Sequence, residues 1–153
     1  MPWLVILGEG TAVEWVLQYQ RMAFRAHVRT AALSPGVPIA LYVTRGAFHN
    51  PARDESQIAA LGHIASEVRN EPIEVAGERY QSWCALTVEI ALPLRRGLPF
   101  RPLVDQLTFI KKKRGWSMYL KRTLVEVSDD DFSIIKQAFI RHYDGMQRAP
   151  GSK

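Results

Sequence analysis

The sequence predicts an α+β fold, and two observations lead to this prediction. Four or five segments have the composition of β-strands, whereas two segments have the pattern of α-helices. The helical segments do not alternate regularly with the strands, which argues against a doubly wound parallel sheet. The 153 residues are enough for one domain of ordinary size. We therefore expect one domain over residues 1–145 and a flexible tail over residues 146–153.

The first strand and the first helix are predicted from the opening residues. Residues 3–7 are Trp-Leu-Val-Ile-Leu, a continuous apolar run that is typical of a buried strand. Thr11 and Glu14 have the spacing of a capping box, which predicts a helix from about Ala12 to Gln20. The segment Tyr19–Val28 mixes basic and apolar residues and predicts no single element.

Three further strands are predicted in the middle of the chain. Ile39–Thr44 is rich in residues that suit a pleated sheet, and a loop over Gly46–Asp54 follows it. Ile58–Val68 is ambiguous between helix and strand, and Gly62 favours a strand with a bulge or bend. Ser82–Leu92 alternates between two sets of residues, which predicts a long strand.

The clearest helix prediction lies near the C-terminal end. Ser128 is a suitable N-cap, and the aspartates at 129–131 lie in the first turn, where the helix dipole favours carboxylates. We expect this helix to end near Tyr143. Upstream, residues 95–102 are predicted to form a loop and residues 103–107 a helical turn. The apolar stripe of the helix consists of Phe132, Ile135, Phe139 and Tyr143.

Composition excludes several classes of protein. The chain is 47% hydrophobic and 23% charged, and it contains four Trp, six Phe and five Tyr, which excludes disorder of the whole chain. The longest uncharged run, residues 30–44, is shorter than the about 20 apolar residues that a membrane span needs. No signal-peptide pattern is found, and the single cysteine cannot form an internal disulfide. We therefore expect a cytoplasmic protein that does not enter membranes.

Basic residues are concentrated in one part of the chain. The net charge is +5, but nine basic residues between Arg95 and Arg122 are opposed only by Asp105, so that segment carries +8. Such clustering is the expected footprint of a surface that binds a polyanion. The alternative is a solvated surface whose charge is balanced by acids from elsewhere in the fold. The densest stretch is Lys111, Lys112, Lys113 and Arg114.

Aromatic residues lie within the basic segment. Trp116 and Tyr119 lie inside the most cationic stretch, and an unstacked base needs such a flat ring just as phosphates need Lys and Arg. The alternative is that both rings anchor the core, and composition leaves the two interpretations open. The same combination of residues recurs near the N-terminus in Tyr19, Arg21, Phe24 and Arg25.

Catalytic and metal-binding patterns are weak. Cys84 lies on the inward face of a predicted strand, which favours a buried, inert thiol over a Cys–His pair. Metal-ligand spacings are missing, and Gly8-Glu9-Gly10 lacks the third glycine of a dinucleotide motif. The sequence therefore predicts no catalytic residue, no metal and no cofactor. One loop groups polar side chains that could assist a reaction, although turn formation explains them equally well: His49, Asn50, Arg53 and Asp54.

The order of several short motifs resembles the EVE domain, a member of the PUA-like superfamily. The resemblance extends from Trp3 to about Ile140, and the order of the motifs carries it rather than any one of them. The sequence departs from the pattern at Gly36-Val37, where members often have Gly-Asp, and at Glu67, where many have proline. The matching motifs are Trp3–Val5, Tyr19–Arg25, Ala40–Thr44, Gly62–Ser66, Pro102-Leu103, Leu107–Ile110, Lys113–Trp116, Arg122–Leu124 and Asp131-Phe132.

This resemblance implies a small, partly open β-barrel flanked by short helices, similar to YTH, SRA, ASCH and PUA domains. It also implies a non-catalytic reader of DNA or RNA, in which a flipped, modified base enters an aromatic-lined pocket. The basic run at 111–114 would then contact the nucleic-acid backbone, with Trp15 as a weaker candidate for the pocket. The type of nucleic acid, the modification, the strandedness and the oligomeric state stay open. The implied pocket residues are Arg21, Phe24, Tyr42, Thr44, Trp116 and Arg122.

Two other classes of function remain as alternatives. ASCH-like relatives include enzymes that act on RNA or nucleotides, and here the candidate groups are Lys113, Tyr119 and the loop around His49. A domain that binds small molecules or proteins is the second alternative, with the basic segment serving solubility or an acidic partner. Incubation with labelled RNA separates enzyme from reader, because a reader leaves the strand intact.

Overall fold

The computed structural model describes residues 1–148 and has a curled, mixed β-sheet in the shape of a half-barrel, with a few helices. The α+β class predicted from the sequence is confirmed. In chain order the elements are β1 (Trp3–Leu7), α1 (Gly10–Tyr19), β2 (Arg21–Phe24), β3 (Pro38–Val43), β4 (Gln57–Ile64), β5 (Ile73–Val75), β6 (Glu78–Tyr80), β7 (Ser82–Ala91), β8 (Leu98–Pro99), two 3₁₀ helices (Arg101–Gln106 and Trp116–Leu120), β9 (Leu124–Glu126) and α2 (Asp129–Arg148).

The main sheet has seven strands. Six of them follow the order β2-β7-β4-β3-β1-β9, and β8 pairs with β4 outside this path. The pair β1–β3 is parallel and the other pairs are antiparallel, while β5 and β6 form a separate hairpin. Strands β1 and β7, both predicted as strands from the sequence, each have a neighbour on both sides.

Both faces of the sheet are buried. On β1, Leu4 belongs to one apolar cluster, whereas Val5 and Leu7 belong to another. Strand β3 divides its side chains in the same way, with Tyr42 in the first cluster and Leu41 in the second. Helix α2 covers the first cluster and α1 contributes to the second. Burial on both faces explains why these two strands are continuous apolar runs in the sequence.

The bend predicted at Gly62 is confirmed. The register of β4 against β7 shifts between Leu61 and Gly62. A Cβ atom at Gly62 would lie 2.1 Å from the Thr87 carbonyl oxygen, so the neighbouring backbone leaves no room for a side chain. Glycine is therefore required here by the close approach of two strands.

The predicted start of α1 is wrong. The helix begins at Gly10 with Glu9 as its N-cap, and no side chain caps it. The Gly10 N–H instead donates to the carbonyl oxygen of Ala47 at 2.8 Å, so a loop distant in sequence binds the first turn. The capping box predicted for Thr11 and Glu14 is therefore not the device that starts this helix.

The predicted start of α2 is confirmed, and its predicted end is wrong. Ser128 Oγ accepts a hydrogen bond from the Asp131 N–H at 3.1 Å, as an N-cap does. The helix then passes Tyr143 and Gly145 and continues to Arg148. Tyr143 and Met146 pack against the first apolar cluster, and this packing favours the additional turn. The first three residues of the predicted tail are thus helical, and the remaining five lie outside the described residues.

Several short elements have no counterpart in the sequence prediction. Strands β2, β5, β6 and β9 and the second 3₁₀ helix were not predicted, and β4 ends at Ile64 rather than Val68. Residues 95–102 are not only loop, because β8 pairs with β4 through Leu98 and Pro99. No helix within residues 1–148 is both long and apolar enough to cross a bilayer.

Candidate functional site

A cleft of about 860 Å³ opens at one end of β1 and β3. One wall is the loop that follows β3, and the opposite wall is the second 3₁₀ helix with the residues after it. This volume lies within the range of about 300–1,000 Å³ that small-ligand pockets occupy. Four of the predicted pocket residues line it: Tyr42, Thr44, Trp116 and Arg122.

Three aromatic rings support the cleft from the core outward. The ring centroids of Tyr42 and Phe100 are 5.0 Å apart in an edge-to-face arrangement, and those of Phe100 and Trp116 are 5.8 Å apart. Phe100 is fully buried, whereas Trp116 is half-buried and lines the cleft. The indole packs on the core with one part and borders the cleft with another, so its core contacts do not remove it from the cleft.

The Tyr42 hydroxyl is kept in its neutral form. Burial raises the pKa of Tyr42, and a side-chain hydrogen bond with Ser56 partly opposes this rise. Both residues line the cleft. The phenol can therefore donate a hydrogen bond at neutral pH, as a free tyrosine does.

The cleft has a cationic rim. Two acidic residues, Asp54 and Glu55, lie opposite a larger number of basic ones, so the positive charge predominates. The rim cations are Arg45, Arg53, Arg101, Lys121 and Arg122. All five are exposed and can contact a charged ligand at the mouth of the cleft.

The basic run at 111–114 lies outside the cleft and is not uniform. All four residues are exposed, but the ammonium group of Lys113 does not project freely into solvent. The Lys113 ammonium instead donates to the carbonyl oxygens of Val104 and Leu107, at 3.0 and 2.8 Å. It thereby binds carbonyl groups at the end of the first 3₁₀ helix, so this predicted phosphate contact has a structural partner inside the protein.

Two predicted pocket residues are not brought to the cleft. Arg21 lies on β2 at the far edge of the sheet, with its guanidinium carbon 4.5 Å from the centre of the Trp83 ring. Phe24, on the same strand, is 1% exposed and belongs to the second apolar cluster. Neither residue lines this cleft, since β2 pairs with β7 and not with the strands that border it. Trp15 lines a smaller pocket of about 340 Å³.

The side chains considered for catalysis are dispersed. Cys84 is buried, and burial raises its pKa to about 12, as expected for an inert thiol. His49 Nε2 lies 3.2 Å from Glu9 Oε2. The Tyr119 hydroxyl accepts a hydrogen bond from the backbone N–H of Lys112 at 3.1 Å. Within the described residues, no group of three or more His, Cys, Asp or Glu side chains could hold a metal ion.

Asp54 is a largely buried charge that lines the cleft and is held by an arginine. Its side chain is 8% exposed, and its Oδ1 accepts hydrogen bonds from Arg95 Nε and Nη2, at 3.1 and 2.9 Å. Arg95 has a left-handed backbone with φ of 66° and lies 5.6 Å from the Phe48 ring centre. The sequence placed Asp54 in a polar loop but carried no signal of its pairing with Arg95, which is 41 residues away.

The fold and the cleft together define a class of small α+β proteins with a curled sheet and an open pocket at one end. The solved NMR structure of Rpa0253 from Rhodopseudomonas palustris is similar to this chain, with a TM-score of 0.57 and 12% sequence identity. The match covers 91% of this chain and 92% of that one, so the two share a fold over nearly their whole lengths. No family model matches the sequence, and neither does any curated protein.

Proposed function

We propose that the protein is a PUA-like, EVE-type reader of nucleic acid whose cleft receives an unpaired or flipped base, preferentially a modified one. The observation that carries this proposal is the half-buried Trp116, supported by Phe100 and bordering an open cleft with a cationic rim. A flat π-face suits any base, and the surrounding cations suit the phosphates on either side of it.

Base binding makes an energetic demand that the cleft residues can address. Removal of a base from its stack costs a few kcal/mol, which stacking and hydrogen bonds in the pocket must offset. Stacking on an aromatic side chain contributes about 1–3 kcal/mol per base. The neutral hydroxyl of Tyr42 and the carboxylate of Asp54 add polar groups on the same cleft, so an edge of the base can be hydrogen-bonded as well.

Charge extends from the rim to the neighbouring surface. Lys121 and Arg122 line the cleft immediately after the second 3₁₀ helix, and Lys111, Lys112 and Arg114 precede that helix. A strand whose base occupies the cleft can therefore meet cations on both sides of this helix. The enzyme alternative has less support, because Lys113 and Tyr119 are bound to backbone groups of the protein itself.

A panel of short oligonucleotides tests the proposal. Modified and unmodified, single- and double-stranded DNA and RNA are titrated at one salt concentration, and the labelled strands are then checked for cleavage. We expect salt-dependent binding of at least one class and intact strands. Cleaved strands would favour the enzyme, and absence of binding across the panel would refute the reader.

A variant pair locates the binding site. Trp116→Ala should weaken binding of the preferred oligonucleotide about 5- to 150-fold, the equivalent of one stacked base. Met118→Ala is the matched control, because Met118 lies on the same 3₁₀ helix, is 73% exposed and does not line the cleft. Thermal melting of both variants shows whether any loss reflects unfolding.

A further inference from the structure

We infer that Asp54 selects bases whose edge carries an N–H donor, such as the amino groups of cytosine and adenine, over bases with an oxo group there. This inference rests on the proposed function and names the class of base that the cleft takes. It follows from one juxtaposition, in which a clamped carboxylate with one unpartnered oxygen lines the same cleft as Trp116.

The two oxygens of Asp54 have different surroundings. Oδ1 accepts both hydrogen bonds from Arg95, whereas the buried Oδ2 has no hydrogen-bond partner within residues 1–148. An unpaired acceptor shielded from water destabilises a folded protein, so such groups are rare and call for an explanation. A ligand that supplies the missing donor is an explanation that also accounts for the position of Asp54 on the cleft.

The chemistry of a carboxylate defines the complementary ligand. An ionised carboxylate only accepts hydrogen bonds, so an N–H group is attracted to it and an oxo group is repelled. A cationic ligand is disfavoured by the rim, where Arg53, Lys121 and Arg122 lie near the same cleft. A neutral ring that carries an amino group, attached to a polyanionic strand, satisfies both the carboxylate and the rim.

Arg95 acts as a positioning residue for this acceptor. Both of its hydrogen bonds go to Oδ1, which fixes the carboxylate and leaves Oδ2 as the free group. Oδ2 is covered by neighbouring protein atoms, so the inference requires that side chains around the carboxylate shift slightly to admit the donor. Side-chain adjustments of this kind are common when ligands bind.

Oligonucleotide pairs that differ in one exchangeable group test the inference. Strands with cytosine are compared with strands with uracil at the same position, and strands with adenine with strands with hypoxanthine. We expect the amino base to bind about 5- to 150-fold more tightly, which is the usual discrimination of one good base contact. Equal affinities within each pair would overturn the inference, and this comparison needs no variant.

The variant Asp54→Asn assigns the preference to the residue. Its amide can still accept from Arg95 through the oxygen while presenting an N–H₂ group to the cleft, so the preference should vanish or reverse. Glu55→Gln is the matched control, since Glu55 is the adjacent acid, lines the cleft and is exposed. It should keep the preference of the native protein. A preference that survives Asp54→Asn would overturn the inference.

Failure of the proposed function is distinguishable from failure of this inference. If no oligonucleotide binds, free 4-aminopyrimidine and 4-pyrimidinone are compared by NMR titration of the cleft residues. A response to the amino compound that Asp54→Asn abolishes would support the donor site without any nucleic acid. Equal responses, or none, would overturn it.

Discussion

Two tryptophans that lie close to basic residues differ in what their rings contact. Trp116 follows four cations, and Trp83 is flanked in space by Arg21 and Arg69, whose guanidinium carbons lie 4.5 and 5.3 Å from its ring centre. The Trp83 Nε1 also donates to Glu71 at 3.1 Å. The ring of Trp116, by contrast, leans on Phe100 and borders an open cleft.

The comparison shows that a cation close to an aromatic residue can have two different roles. At Trp83 the guanidinium groups bind the ring itself, and the acid at the indole edge completes a contact within the protein. At Trp116 the nearby rim cations line the cleft beside the ring. Amino-acid composition cannot distinguish these two roles, because the role of the cation depends on which residues the strand pairing brings together.

The largest expected effect comes from removing the support of Trp116. Phe100→Ala should lower the free energy of unfolding by about 3–5 kcal/mol, because it empties a fully buried site in the core. Chemical denaturation at neutral pH measures this loss. A loss below about 1 kcal/mol would contradict the view that Trp116 has a rigid, packed support.

The next prediction concerns the two tryptophans directly. Trp83→Ala should leave oligonucleotide affinity unchanged, while Trp116→Ala lowers it by about 1–3 kcal/mol. Fluorescence anisotropy on both variants at one salt concentration makes the comparison. Equal losses would mean that the far edge of the sheet also contacts the ligand, and that the structural distinction between the two rings has no functional meaning.

The Trp83 region and the Trp116 region each contain a buried group that loses its proton only at alkaline pH. The Cys84 thiol, next to Trp83, has its pKa raised from 9.0 to about 12, and burial also raises the pKa of Tyr42 above 10.0. The unfolded chain therefore releases these protons first, and stability falls as pH rises from about 9 towards 12. Each group contributes at most about 1.4 kcal/mol per pH unit.

Urea midpoints at pH 8, 9, 10 and 11 separate the two contributions. Cys84→Ala should remove the decline that begins near pH 9, whereas Tyr42→Phe should alter only the decline above about pH 10. If Cys84→Ala keeps the full slope between pH 9 and 10, the thiol is not the group that is titrated.

Two neighbouring lysines beside the Trp116 helix should behave differently. Lys113→Met should cost about 1–2 kcal/mol of stability, because it removes two charge-assisted hydrogen bonds to carbonyl groups. Lys112→Met should change stability by less than about 0.5 kcal/mol. If Lys112 contacts a phosphate, its loss lowers the log–log salt slope of binding by about 0.7–0.9. The reverse pattern would mean that their roles are exchanged.

The smallest effect is expected at the support of Trp83. Arg21→Ala should cost about 0.5–1 kcal/mol of stability, the range for an exposed cation–π contact, and should not change binding. Thermal melting and the same anisotropy titration measure both. If Arg21→Ala weakens binding and leaves the melting temperature unchanged, Arg21 belongs to the binding pocket, as the family resemblance implied.

Sequence reasoning succeeded where one segment determines its own structure. The apolar run of β1 and the alternation of β7 depend on residues that are adjacent in sequence. It failed where a distant partner decides the outcome. The Ala47 carbonyl accepts a hydrogen bond from the first residue of α1, and residues 98–99 form a strand because they pair with β4.

The residues of the candidate site differ in the same way in how well the sequence predicted their positions. Tyr42, Thr44, Trp116 and Arg122 all line the cleft, because the elements that carry them are contiguous in the fold. Arg21 and Phe24 were assigned to the same pocket by resemblance, and the β2–β7 pairing separates them from it. The Asp54–Arg95 pair had no local signal at all, since a loop and a left-handed turn residue carry no shared pattern.

The pairing of β1 with β9 has a consequence for the order in which the protein folds. Trp3 is registered against Glu126, and the Val127 N–H donates to the Pro2 carbonyl oxygen at 3.0 Å. During synthesis, β1 therefore lacks one of its two neighbours until residues far along the chain have left the ribosome. Non-local pairings of this kind also slow folding. We expect a nascent chain that stops before β9 to stay protease-sensitive, with its first strand exposed along one edge.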